Sequence, residues 1–193
     1  FDVPEGNYRV TIELGGAGAF DTTIKAEARR LMVHNAKTTG NTVRREVFIV
    51  NVRRSTLKAP PLNSPGFDTV ATNKWEVGSF TWGDRLTLEF SGPSPSVASI
   101  QIESVTVPTV FIAGDSTVTD QRWDPYGSWG QMLPLFFKPD IAVANHAESG
   151  ETVKSFITGR RLDKILTQIK TGDFLLIQFG HNDSQRSWPH TYV

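Results

Sequence analysis

Ser116 is the residue in this chain whose setting best suits covalent chemistry. It lies in Gly114-Asp115-Ser116-Thr117, directly after the apolar run Thr109-Val110-Phe111-Ile112-Ala113. Parallel-sheet enzymes place nucleophiles there, at the carboxyl end of a buried strand on a turn that exposes a hydroxyl. Alone, such a tetrapeptide is a common loop pattern; its downstream company gives it weight. Asn145-His146-Ala147-Glu148-Ser149-Gly150 follows Ile141-Ala142-Val143-Ala144, and Gly180-His181-Asn182-Asp183 follows Phe174-Leu175-Leu176-Ile177-Gln178-Phe179. Three apolar strands, each ending in small and polar residues with helical patterns between, predict a βαβαβ core. Loops at one end of such strands converge, which would bring Ser116, Gly150 and Asn182 together.

The ordered set resembles the SGNH (GDSL-type) esterases and acyl hydrolases, and within them the rhamnogalacturonan acetylesterase branch. The residues carrying the likeness are Gly114-Asp115-Ser116-Thr117, Tyr126-Gly127-Ser128-Trp129-Gly130, Asn145-x-Ala147-x-x-Gly150 with Ser155-Phe156, and Gly180-His181-Asn182-Asp183. The resemblance implies that Ser116 attacks an ester carbonyl to form an acyl-enzyme. It implies oxyanion donors in the backbone N–H groups of Ser116 and Gly150 and the side-chain amide of Asn182. Glycine lets the backbone approach substrate without a Cβ, and asparagine supplies an uncharged donor. Asp115 is read as shaping the turn.

The likeness covers roughly residues 108–193 and departs from the family pattern twice. The family's fourth block, Asp-x-x-His, supplies the general base. Here His34, His146, His181 and His190 are preceded three positions earlier by Leu31, Val143, Gln178 and Ser187. The expectation is the front part of a longer enzyme whose remainder carries that block, so that this piece alone is inactive. The position after Gly150, often Arg in the family, is Glu151. His146 and His181 beside Glu148 and Asp183 invite a metal reading, but their spacing matches no ligand motif, and neither metal nor cofactor is expected.

Composition narrows the remaining classes. Lys+Arg and Asp+Glu number 20 each in 193 residues, so no net field favours nucleic acid or an acidic membrane. The absence of cysteine removes any disulfide framework or thiolate metal site. No apolar stretch reaches the length of a membrane span. The chain begins at Phe1 without a basic-then-apolar leader. By likeness, the expected location is secreted or periplasmic.

The elements that must hold the site divide in two. Residues 1–107 show period-two alternation in 8–14, 22–27, 46–52, 85–90 and 98–105, with 29–34 extending a further strand and Gly, Pro, Asn and Ser turns between. This predicts an antiparallel β-sandwich of jelly-roll type, followed from residue 108 by the first part of an α/β three-layer SGNH-type domain with a parallel sheet. Helical spacing is expected in 126–137, distorted by Pro134, and in 152–170, broken near Gly159. The sandwich resembles galactose-binding-like carbohydrate modules. Trp75 and Trp82 are then candidate sugar-stacking platforms or, alternatively, packing residues of a structural module. The reading is an exported carbohydrate esterase that removes acetyl groups from a pectic polysaccharide. The alternatives are an SGNH lipase or acylhydrolase on another acylated sugar or lipid, and a non-catalytic carbohydrate-binding fragment. The polar residues Thr117, Thr119, Asp120, Gln121 and Arg122 beside the serine favour sugar over lipid.

Overall fold

The computed structural model describes residues 1–59, 67–188 and 192; His190 and the terminal Val193 lie outside the described residues. The chain opens with β1 (Gly6–Gly15), β2 (Phe20–Ala26), β3 (Arg30–Thr38) and β4 (Val43–Val52). After a long connection come β5 (Leu88–Ser94) and β6 (Ser99–Ser104). These form two three-stranded antiparallel sheets, ordered β4-β1-β6 and β3-β2-β5. Alternation does what the sequence predicts: Tyr8, Val10, Ile12 and Leu14 of β1 all point inward and are buried. They meet Ile24 and Ala26 of β2, Met32 and Val33 of β3, and Phe48 and Val50 of β4 in one apolar cluster fed by both sheets. Burying each such side chain stabilises by roughly 1.5–3 kcal/mol.

The segment 85–90 begins its strand later than its alternation suggests. Leu86 N–H donates to the Phe1 carbonyl at 2.8 Å, and Thr87 N–H donates to Glu27 Oε1 at 2.8 Å. Their backbone groups are occupied before the ladder starts at Leu88.

The second region begins with β7 (Thr109–Gly114), followed by α1 (Trp129–Met132), a 3₁₀ turn (Leu133–Phe136) and β8 (Ala142–Asn145). Two short helices, α2 (Val153–Thr158) and α3 (Arg161–Leu166), then lead to β9 (Phe174–Gln178). The three strands form a parallel sheet ordered β8-β7-β9. Central β7 is buried at all six positions, as a strand covered on both faces must be. β9 differs: Phe174, Leu176 and Ile177 are exposed.

The helical expectations hold in outline and shift in detail. Helix in the 126–137 segment starts only at Trp129, and Pro134 at the head of the 3₁₀ turn prevents continuation as α-helix. The 152–170 segment breaks where expected: Gly159 caps α2, and Arg160 takes a left-handed φ of 61° before α3. Thr152 and Ser155 form a reciprocal capping box at the start of α2.

The two regions are packed against each other. Ile49 of β4, Val107 and Ala142 of β8 share a small apolar cluster, and Asn7 Nδ2 donates to Thr109 Oγ1 at 2.9 Å.

Candidate active site

The loops following β7, β8 and β9 lie at the carboxyl ends of the parallel strands and are tied to one another. Glu148 N–H donates to the Gly114 carbonyl at 3.1 Å, and Thr119 Oγ1 to the Ala147 carbonyl at 2.8 Å, joining the first loop to the second. Asn182 Nδ2 donates to the Glu151 carbonyl at 2.9 Å, joining the third to the second. Asp183 reinforces that link by accepting from Val153 N–H at 2.9 Å and Gly180 N–H at 3.1 Å. Ser116, Gly150 and Asn182 therefore sit on three mutually bonded loops.

Ser116 is half-buried on a turn built by its neighbour. Asp115 Oδ1 accepts from Thr117 N–H at 2.9 Å and Thr117 Oγ1 at 2.8 Å, while its carbonyl receives Val118 and Thr119 N–H at 3.0 Å each. Gly114 makes the turn fit, because a Cβ there would lie 2.7 Å from both the Gln178 carbonyl oxygen and Val118 Cγ2. Gln121 Nε2 donates to the Ser116 carbonyl at 2.7 Å. Among the described residues, neither the Ser116 nor the Gly150 N–H has an intramolecular acceptor, leaving both donors open to a ligand. Gly150 has a φ of +84°, a left-handed conformation that favours glycine. Among the same residues, no imidazole is hydrogen-bonded to the Ser116 hydroxyl.

Ser116 opens into a cavity of about 830 Å³ shared with Thr117, Gln121, Trp123, Trp129 and Ser149. One side of its wall is fixed by a residue that the motif reading passes over. Gln178, ending β9, accepts from Trp129 Nε1 at 2.9 Å and donates to Thr117 Oγ1 at 2.8 Å. As the last residue of an apolar strand it carries no sequence signal for this bridge.

Beneath the loops lies a buried ionic web drawn from both regions. Asp120, four residues beyond Ser116, accepts from Asn145 Nδ2 at 2.9 Å. Its other oxygen lies 2.8 Å from Arg30 Nε and 3.7 Å from Arg53 Nη2. These are ion pairs off the N–H axes rather than aligned hydrogen bonds. Arg122 is paired bidentately with buried Glu148, and Arg161 likewise with Glu76. Burial, aided by adjacent Arg30 and opposed by Asp120, lowers the Arg53 pKa to about 10. Burial pulls the Glu76 carboxyl upward, but the Arg161 hydrogen bond and charge outweigh it and hold the net shift downward. His146 is wholly buried among Arg53, Trp82 and Phe111. Burial first, then the surrounding cations Arg53 and Arg161, keep its pKa well below the ordinary imidazole value. Glu151 is pushed up by burial despite Arg161 Nε at 3.3 Å.

The structure separates the two tryptophans that the sequence groups together. Trp75 is half exposed, with its edge or face against Trp123 at 5.9 Å and the Lys74 ammonium 4.2 Å from its ring centre. Trp82 is half-buried: its indole N–H donates to Glu76 Oε1 at 2.7 Å, Arg53 lies 5.0 Å from its ring centre and His146 5.6 Å. Trp82 thus packs over the ionic web with its indole N–H committed to Glu76, and it is less exposed than Trp75. His146 and Glu148 are committed in the same way, and among the described residues no group of three or more His, Asp or Glu is placed to hold a metal ion. No described helix is long and apolar enough to cross a membrane.

No family model matches the chain. Curated relatives match part of it. Over 78 residues the chain is 46% identical to rhamnogalacturonan acetylesterase RhgT of Bacillus subtilis, covering 39% of this chain and 34% of that protein. It is 39% identical over 85 residues to the probable rhamnogalacturonan acetylesterase YesY of the same organism, covering 44% and 39%. It is 35% identical over 92 residues to the uncharacterized esterase YxiM, covering 46% and 24%. The chain thus spans about a third of the length of these relatives. A solved structure of the Bacillus subtilis YxiM protein aligns with 97% of this chain and 47% of its own, at 24% identity and a TM-score of 0.44. Over the matched stretch, the relatives of this chain are rhamnogalacturonan acetylesterases and esterases.

Proposed function

We propose that this chain is part of a carbohydrate esterase that removes O-acetyl groups from a rhamnogalacturonan-like pectic polysaccharide outside the cytoplasm. The observation that supports this reading most is Ser116 on a tight turn at the end of a buried parallel strand, with open N–H donors at Ser116 and Gly150 on bonded loops. Relatives named as rhamnogalacturonan acetylesterases point to the same ester and polymer.

In the proposed reaction, Ser116 Oγ attacks the acetyl carbonyl and the sugar hydroxyl departs, leaving an acetyl-serine that water hydrolyses. The tetrahedral oxyanion is received by the Ser116 and Gly150 N–H groups and by Asn182. Asn182 uses one amide hydrogen on the Glu151 carbonyl, which leaves the other for the oxyanion. A serine hydroxyl needs a base to take its proton, and we assign that role to a histidine in a segment of the same enzyme outside these residues. We further propose that residues 1–107 and 108–193 are separate domains, with Trp75 contributing to sugar binding.

The test is acetate release from acetylated rhamnogalacturonan by the full-length protein. Ser116→Ala is expected to lower kcat/KM by on the order of 10³-fold or more while the circular dichroism spectrum is unchanged. Hydrolysis at the wild-type rate in that variant removes the proposal.

A further inference from the structure

A second cavity, of about 610 Å³, lies at the seam between the antiparallel sheets and the nucleophile loop. It shares Trp75, Arg122 and Trp123 with the Ser116 cavity, so the two hollows run side by side with a common wall. It is lined by Glu27, Ala28 and Arg29 of the turn after β2, by Leu88 of β5 and by Phe80. Phe80, Trp75 and Trp123 are 60%, 49% and 57% exposed. Three large aromatic side chains left in water around one hollow cost hydration free energy, and a ligand with apolar faces would recover it.

The charges on this wall narrow the class of ligand. Arg122 is held by Glu148, Arg29 by Asp124, and Glu89 lies 3.3 Å from Lys25. Burial pushes the Glu27 carboxyl up, against the pull of Arg30. Both lining cations, Arg122 and Arg29, are therefore already paired within the protein, and Glu27 accepts from Thr87 N–H and Oγ1, so the hollow offers rings and polar edges without a free cation. That combination suits a pyranose, which has apolar C–H faces and a rim of hydroxyls, and does not suit a carboxylate or a phosphate. The volume is in the range of small-ligand sites.

We infer that the seam cavity is a second saccharide subsite, holding an uncharged pyranose unit of the same polysaccharide whose acetylated unit lies at Ser116. The first region would then take part in substrate recognition through the turn 27–29 and β5. The inference rests on the carbohydrate-esterase reading for the choice of polymer.

The experiment is calorimetric titration of the full-length protein and its Phe80→Ala variant with deacetylated rhamnogalacturonan oligosaccharide. Of the two cavities Phe80 borders the seam cavity and not that of Ser116, and it is exposed and belongs to none of the apolar clusters, so its removal leaves the packed core untouched. The inference expects saturable binding that changes less than about twofold with added salt and weakens roughly tenfold in Phe80→Ala. A Phe80→Ala variant that binds as wild type, or a wild-type protein that does not bind, overturns it. So does binding that collapses with salt, which would mean a charged contact. Acetate release by the full-length protein, measured in parallel, reports on the esterase reading separately. Release with an indifferent Phe80→Ala removes the subsite alone, and binding without release removes the esterase alone.

Discussion

The antiparallel sheets and the loops around Ser116 are held by different forces. The sheets close on an apolar cluster in which Val10, Ile12, Leu14, Ile24 and Leu86 are completely buried. The loops around Ser116 are held from beneath by buried charges: Asp120 between Arg30 and Arg53, Glu148 on Arg122, and Glu76 on Arg161. Apolar contact is non-directional and tolerates sliding; an ion pair inside a protein fixes particular atoms and is costly to leave incomplete. The contrast teaches that packing supplies the scaffold, while buried charge sets the position of the loops at the carboxyl ends of the parallel strands. Arg30 and Arg53 come from the antiparallel sheets and their edge, so the scaffold itself reaches across to grip the site.

The sharpest way to break this comparison is Asp120→Ala, which leaves two buried guanidinium groups without their carboxylate. Its expected cost is about 3–5 kcal/mol in denaturant unfolding. A cost below about 1 kcal/mol, as for a surface pair, would mean that packing alone holds the loops. Next in size is Asn182→Ala in the full-length protein, expected to raise the barrier to ester hydrolysis by about 2.7–4 kcal/mol, seen in kcat. If only KM moved, Asn182 would bind ground-state substrate instead.

The smallest effect is a pH slope. His146 has a folded pKa well below its ordinary value of about 6.5, because burial and nearby cations disfavour its charged form. Below about pH 6.5 the unfolded chain takes up a proton that the folded chain refuses, so this contribution to stability is complete above that pH and lost as pH falls. The slope is at most about 1.4 kcal/mol per pH unit. His146→Phe is expected to flatten the curve between its depressed pKa and about pH 6.5. The replacement abandons no hydrogen bond, since neither ring nitrogen has a partner among the described residues. An unchanged slope would show that acid sensitivity arises elsewhere in the web.

Strand periodicity in residues 8–14 and 46–52 made the antiparallel sheets legible, because alternation maps directly onto the two faces of a strand. The apolar runs at 109–113, 141–144 and 174–179 announced the parallel sheet for a similar reason. The ionic web was not legible. Arg30, Arg53, Glu76, Asp120 and Arg161 are scattered through the sequence, and charged residues are ordinarily at the surface, so nothing local marks them as buried. For Trp82 the sequence leaves sugar stacking and packing both open, and only the fold reveals Arg53 and His146 against its ring. Gln178 and Phe80 carry no motif at all, and their placement depends on which loops the topology brings together.

The exposed β9 strand has a practical consequence for anyone handling these residues in solution. On one side it is bonded to β7, and its other edge has no strand partner among the described residues. Unpaired N–H and C=O groups flanked by Phe174, Leu176 and Ile177 form a template onto which another extended chain can add. Concentrating residues 1–193 by themselves should therefore favour side-by-side association through this edge, and a charged residue at position 176 would act as a gatekeeper against precipitation.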